Sequence, residues 1–189
     1  MKKNLEDYAI VYSKVLTQQI CKKTIKELKK TKWEQHKFYN PRNEEKTSPS
    51  PGQELFVTQK SLSTNSIIMK AIWNTIHKYI LEDLNFPWFP GWSGYTQIRY
   101  NKYSHNTKMK EHCDFINSIF DGNIKGIPTV SVVGVLNDEY TGGEFVMFED
   151  KEIKLNAGDI LIFPSTFMYP HRVDPVKKGV RYSYVSWVY

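Results

Sequence analysis

GDILIFPSTFMYPHRV, residues 158–173, is the stretch on which the fold turns. Gly158-Asp159 is a turn signal, Ile160 to Phe163 is an apolar run of strand length, and Pro164-Ser165 closes it. A turn, a buried strand and a further loop would carry His171 back across a β-structure toward whatever faces it. The residues around this stretch are built the same way. From 95 to 189, short apolar or aromatic runs are punctuated by Asp121-Gly122, Gly142-Gly143, Ala157-Gly158-Asp159 and Lys178-Gly179. Strands so closely spaced favour a jelly roll or sandwich.

The first half reads differently. Residues 8–16 have strand-like β-branched and aromatic content, and Thr17 is a plausible N-cap for a helix through about Lys30. Residues 33–39 again look like a strand. Residues 40–53, NPRNEEKTSPSPGQ, are polar and Pro-rich with nothing to bury, which predicts a mobile loop. From Ser63 to about Leu84, Ile67, Ile68, Ala71, Ile72, Ile76, Ile80 and Leu81 keep a helical period, ended by Asn85 and Pro87. Helices confined to this half would buttress one sheet of the β half.

Length and composition bound the rest. The chain of 189 residues with 40% hydrophobic side chains fits one domain, 1–189. Within it, 1–94 would be the buttress and 95–189 the β core. No apolar run reaches eighteen residues, and Cys21 and Cys113 make neither a disulfide framework nor a zinc spacing. A soluble, intracellular, cytoplasmic protein with no membrane partner is expected. Of the net charge of +6, all lies in residues 1–46, with twelve Lys/Arg against six Asp/Glu. Lys22, Lys23, Lys26, Lys29 and Lys30 read as a solvated helix face, with an anionic partner there as the minority reading. Residues 47–189 are charge-balanced, which disfavours nucleic acid as a substrate. The oligomeric state is not readable.

The chemistry starts at His112-Cys113-Asp114. In a strand, residues i and i+2 share a face, so His112 and Asp114 could bind one ion while Cys113 points away. Alone, that pattern is weak. His171 gives it weight, because two imidazoles and one carboxylate form the facial triad of non-haem Fe(II) oxygenases. A catalytic zinc with the same ligands is also possible chemically. Arg181, ten residues after His171 among apolar and aromatic neighbours, would point inward and require a bidentate anion. The bland alternative is an ion pair with Asp114, Asp159 or Glu144. His36, His77 and His105 have no partners at metal spacing and read as surface or satisfied histidines.

With those residues in view, the chain resembles the prolyl-hydroxylase branch of the 2-oxoglutarate/Fe(II) dioxygenases. The resemblance is carried by His112-x-Asp114, Leu136-Asn137, Gly142-Gly143-Glu144-Phe145, Gly158-Asp159 through Pro164-Ser165, His171, and Arg181-Tyr182 leading to Trp187. It implies an α+β, mainly β fold: a double-stranded β-helix (jelly roll) core with N-terminal buttressing helices. It implies iron on His112, Asp114 and His171, and the far carboxylate of 2-oxoglutarate on Arg181. Fe(II), 2-oxoglutarate and O2 would be the cofactor and co-substrates, with ascorbate as an optional accessory. A tyrosine preceding the first ligand would help hold the co-substrate: Tyr100, with Tyr103 as the alternative. Where relatives often have another tyrosine this chain has Gly134-Val135, leaving Ser131 to supply that contact. A glycine usual in the loop before the first ligand is missing from residues 104–111.

The implied reaction is hydroxylation of a substrate C–H, with a prolyl residue in a protein or peptide as the leading substrate. Trp88, Trp92 and Trp187 are candidates for a substrate cleft, although core packing is the competing role for Trp88 and Trp92. Competing functions are a small-molecule or nucleic-acid hydroxylase with the same cofactors, and a catalytically inactive β-barrel binding module.

Overall fold

A computed structural model describes residues 4–40, 45–89, 91–115 and 127–189, with the side chains of Tyr39, Asn40 and Glu45 left aside. Two antiparallel sheets face one another. The larger runs, in spatial order, Ile10–Tyr12, Ile160–Pro164, Val130–Val135, Arg181–Val188, Arg99–Tyr103, Phe56–Thr58 and Glu34–Gln35. The smaller runs Lys151–Ile153, Phe145–Met147, His171–Val173 and Met109–His112. This is the mainly β, jelly-roll architecture expected from the turn-punctuated second half.

The larger sheet is buried on both faces, which explains why its strands are continuous apolar runs rather than alternating ones. Ile160, Ile162, Val132 and Tyr184 face the helices, whereas Leu161, Phe163, Val133 and Val185 face the smaller sheet and pack with Phe145, Met147 and Val173. One strand therefore ties two cores together.

The helices cover the first of these faces. Helix α1, Gln18–Leu28, starts where Thr17 accepts a hydrogen bond from the Ile20 amide, and Lys22, Lys23, Lys26, Lys29 and Lys30 are exposed on its outer side. Helix α2, Asn65–His77, buries Ile68, Ile72 and Ile76 completely and continues as a π-helical stretch, Lys78–Leu84. Asn85 stops it in the left-handed region at φ 47°, its amide bonded to the Ile80 carbonyl. Ile67, which fits the helical period, is nonetheless an exposed side chain. No helix among the described residues is long and apolar enough to cross a membrane.

Several expectations need correction. Of residues 8–16 only Ile10–Tyr12 forms a strand, preceded by a 3-10 turn at Leu5–Tyr8 and followed by Lys14 at φ 56°. The polar stretch 40–53 is not wholly loop, because Glu45–Thr47 pairs with Phe38–Asn40 as a hairpin. Strands of the first half form both edges of the larger sheet. The Asp121-Gly122 turn lies outside the described residues.

Candidate metal centre

His112 is the last residue of Met109–His112 and His171 the first of His171–Val173, and the two stand directly opposite one another in register. Asp114 lies beyond the strand end in a bend, so strand alternation is not what brings it to His112. The chain turns at Cys113, whose thiol donates to the Phe167 carbonyl at 3.4 Å, and the Asp114 carboxylate comes back against both imidazoles. His112 Nε2 is 3.5 Å from Asp114 Oδ1 and His171 Nε2 is 3.9 Å from Oδ2. One donor atom from each of the three residues lies within 4.8 Å of the others.

Each imidazole is oriented by its own backbone. Nδ1 of His112 lies 2.7 Å from the Lys110 carbonyl and Nδ1 of His171 lies 3.1 Å from the Tyr169 carbonyl. Nδ1–H donation to those carbonyls leaves both Nε2 lone pairs facing the carboxylate, the tautomer a metal requires. Phe145 stacks on the His171 ring at 5.4 Å and Phe163 meets it edge-on at 5.0 Å. Burial and the neighbouring His112 lower the His171 pKa to about 4, against the opposing pull of Asp114 and the Tyr169 carbonyl, so its imidazole is neutral. Burial alone would raise Asp114. Its interactions with His112, His171 and Ser131 outweigh that and hold the carboxyl well below the usual range.

Asp114 Oδ2 accepts two further hydrogen bonds, from the Ser131 hydroxyl at 2.7 Å and the Trp187 indole at 2.9 Å. Ser131 also shares a 2.7 Å hydrogen bond with Ser165. The expectation that Ser131 reaches the co-substrate is thereby corrected: a buried carboxylate occupies its hydroxyl.

A cleft opens beside the ligands, lined by Arg99, Asn101, Tyr103, Arg181, Ser183 and Trp187 among others. Arg181 is 1% exposed and forms no ion pair among the described residues, so the alternative of a partner in Asp114, Asp159 or Glu144 does not hold. Asp159 instead accepts from the Lys14 and Asn156 amides. The guanidinium lies 5.0 Å from the centre of the Tyr103 ring, donates one hydrogen bond to Ser183 at 3.0 Å, and leaves Nε without a partner. A buried permanent cation with unmet donors is built to receive an anion. Gly143 makes room for it, since a Cβ there would stand 3.2 Å from Arg181 Cδ.

Of the two candidate tyrosines, Tyr103 lines this cleft and Tyr100 does not. Tyr100 is on the opposite strand face, buried among the helices with its hydroxyl donating to Asn65 at 2.8 Å. Trp88 and Trp92 are also removed from the cleft. Trp88 is 77% exposed and stacks on Phe86, while Trp92 packs against Trp73 on the helix side. Trp187 alone of the three reaches it.

Two departures from the resemblance have local causes. A Cβ at Gly134 would stand 2.0 Å from Cζ of Tyr184, whose ring fills the space above that strand. In the glycine-less loop, Asn106 adopts φ 61°, the left-handed conformation that Asn tolerates better than most residues. Arg99, Asn101 and Ser183 were not singled out from the sequence; they follow once the inward parity of Tyr103 and Arg181 is known. His36, expected to be a surface or satisfied histidine, is buried, and its Nδ1 has no hydrogen-bond partner among the described residues.

The fold and the ligand set define a jelly-roll protein with two histidines and one carboxylate at the mouth of a basic cleft. Residues 98–189 match the family model of the 2OG-Fe(II) oxygenase superfamily. A PKHD-type hydroxylase of Aliarcobacter butzleri (strain RM4018) is 40% identical over 97 residues, covering 47% of this chain and 41% of that protein. The match thus spans only about two fifths of that relative's length. Among solved structures, a Pseudomonas putida prolyl-4-hydroxylase superposes with a TM-score of 0.65 at 16% identity, covering 96% of this chain and 91% of the other. A Trichoplax adhaerens prolyl hydroxylase, solved with a hypoxia inducible factor oxygen degradation domain peptide fragment, gives 0.71 at 16% identity, covering 97% and 84%. At that identity the likeness is one of fold. The cofactor and co-substrates of this superfamily, Fe(II), 2-oxoglutarate and O2, fit the residues present: the donor set is that of a facial triad, and Arg181 supplies the unmet cation.

Proposed function

We propose that the protein is a 2-oxoglutarate-dependent Fe(II) dioxygenase that hydroxylates a prolyl residue in a protein or peptide. The observation that carries this reading is Arg181: a fully buried guanidinium without a carboxylate, in the same cleft as a two-histidine, one-carboxylate cluster. His112, Asp114 and His171 hold iron. Arg181, flanked by Tyr103 and Ser183, binds the far carboxylate of 2-oxoglutarate. Ser131 and Trp187 fix the rotamer of Asp114, and the two backbone carbonyls fix the imidazole tautomers. Iron with 2-oxoglutarate and O2 supplies the oxidising power, one oxygen atom ending in the hydroxyl group and the other in succinate, with release of CO2. Phe145 and Phe163 pack an apolar surface against the His171 ring.

The prolyl assignment is supported by the fold shared with two prolyl hydroxylases. It is tested by incubating the Fe(II)-loaded protein with 2-oxoglutarate, O2 and a panel of proline-containing peptides, reading both succinate and peptide mass. Peptide-stimulated succinate with one oxygen added at proline is expected. Succinate formed at an unstimulated rate, with every peptide unmodified, would remove the prolyl substrate and leave the cofactor chemistry standing.

A further inference from the structure

We propose that Arg172 is a positioning residue for the metal centre: through its ion pair with Glu111 it pins the β-bulge that turns His112 toward the other two ligands. The inference rests on the ligand assignment in the functional reading above. Between the His171–His112 and Val173–Met109 pairs the register shifts, so that Lys110 and Glu111 together stand opposite Arg172. That extra residue decides which way His112 faces. Met109 and His112 are three apart in the chain, and in an unbroken strand they would lie on opposite faces. Both nevertheless line the cleft, and Met109 shares the core between the sheets with Val173. Lys110 and Glu111, the two residues that the bulge accommodates, are both exposed. The carbonyl that fixes the His112 tautomer, that of Lys110 at 2.7 Å, belongs to the bulge itself.

Arg172 is the residue on the partner strand that meets this irregularity. His171 and Val173 are buried, so the side chain between them points to the outer face of the smaller sheet. There its guanidinium lies 3.6 Å from the Glu111 carboxylate on one side. On the other side it bonds the Glu149 carbonyl and lies 3.4 Å from Asp150, in the turn that follows Phe145–Met147, while Nε donates to Asp174 at 2.9 Å. Arg172 therefore links its strand to both neighbours directly behind His171. Of the two residues opposite it, Lys110 repels the guanidinium and Glu111 attracts it. The pair thus favours the native register over one slipped by a residue, in which His112 would turn to the outer face. An ion pair this exposed contributes little to overall stability, and its consequence lies in where the ligand points.

The test is a calorimetric titration of Mn(II) into the full chain, paired with nitrogen NMR of the metal-free protein to read the His112 tautomer. Removing a cation beside a metal site would by simple electrostatics tighten Mn(II) binding, and the positioning role requires the reverse. Arg172→Gln is expected to weaken Mn(II) binding about threefold or more, and Glu111→Gln to a similar degree. The double variant should lose less than the product of the two, because both act through one contact. The Nδ1–H signal of His112 should diminish in each. Asp150→Asn removes a 94% exposed partner at the other end of the same guanidinium and should leave both Mn(II) affinity and tautomer at wild-type values. Glu111→Gln, a change on an exposed side chain, keeps the test decisive if Arg172→Gln fails to fold. Wild-type or tighter Mn(II) binding in Arg172→Gln, or an unchanged His112 signal in Glu111→Gln, would overturn this inference alone. Equal losses in Asp150→Asn would do the same, since the whole network rather than the bulge would then be responsible. Mn(II) binding that survives His112→Ala unaltered would overturn it together with the ligand assignment.

Discussion

Removing the two donors that hold Asp114 should loosen iron without touching a single ligand. Oδ2 of Asp114 accepts from Ser131 at 2.7 Å and from the Trp187 indole at 2.9 Å, and the carboxylate is 7% exposed, so water is a poor substitute for either. A hydrogen bond to a buried charge is worth about 1.5–3 kcal/mol. Only part of that reaches metal affinity, because the metal itself also stabilises the carboxylate; loss of such an outer partner typically weakens a site roughly 10–100-fold. Ser131→Ala removes one donor and leaves Ser165 without its 2.7 Å partner. Trp187→Phe removes the other and keeps an aromatic ring beneath the Arg99 guanidinium, which lies 4.8 Å from the indole. Each variant is expected to raise the Fe(II) dissociation constant about tenfold or more in anaerobic titrations, and the double variant to exceed both. The melting temperature of the metal-free protein serves as the control. Fe(II) binding within twofold of wild type in both single variants would refute the reasoning, because the two hydrogen bonds would then not govern the carboxylate.

Arg181→Ala should raise the apparent KM for 2-oxoglutarate at least tenfold with Fe(II) affinity little changed, and Arg181→Lys should recover only part of it, since an ammonium cannot reproduce the guanidinium fork; an unchanged KM would mean that the cation serves something else. Gly134→Ala should destabilise the fold by roughly 1–3 kcal/mol, because the new Cβ would stand 2.0 Å from Tyr184 Cζ in a fully buried position. A thermal melt checks this, and an unaltered midpoint would show that Tyr184 can move aside. Burial, with smaller contributions from Arg99 and His112, lowers the His36 pKa to about 3 from 6.5, so the unfolded chain takes up a proton there before the folded one does. Stability from this source is complete above pH 6.5 and falls as pH drops toward 3, by about 1.4 kcal/mol per pH unit at most. Urea unfolding at pH 6.5 and 5 should therefore show a loss in wild type about 2 kcal/mol larger than in His36→Leu; equal losses would contradict it.

The parts of this molecule that were legible in the sequence are those set by local pattern. Ile68, Ile72, Ile76 and Ile80 repeat with helical period and are all fully buried. The run from Ile160 to Phe163 is apolar at every position because the strand is covered on both faces. His112, Asp114, His171 and Arg181 announce themselves by chemistry and order, and the structure brings all four to one cleft. What was hidden depends on parity and on distant partners. Tyr100 and Tyr103 are both strand tyrosines, and a one-residue shift in register exchanges their faces. Only the pairing of Arg181 with Tyr103 decides between them. Ser131 was assigned to the co-substrate because its hydroxyl was visible and its partner, 17 residues earlier in the chain, was not. Trp88 is as apolar as a core residue but follows the end of the helical run, where it is 77% exposed and stacks on Phe86. His36 directly follows the short edge strand Glu34–Gln35, and its burial comes from residues far away in the chain, which no spacing rule on its own segment could show.

The decisive measurement is the visible absorption spectrum of the anaerobic protein with Fe(II) and 2-oxoglutarate, followed after admission of O2 by an assay for succinate. A weak charge-transfer band that requires His112, Asp114 and Arg181, and that bleaches as succinate forms, is the expected result. A protein that binds Zn(II) tightly, shows no band with Fe(II) and 2-oxoglutarate, and yields no succinate would contradict it.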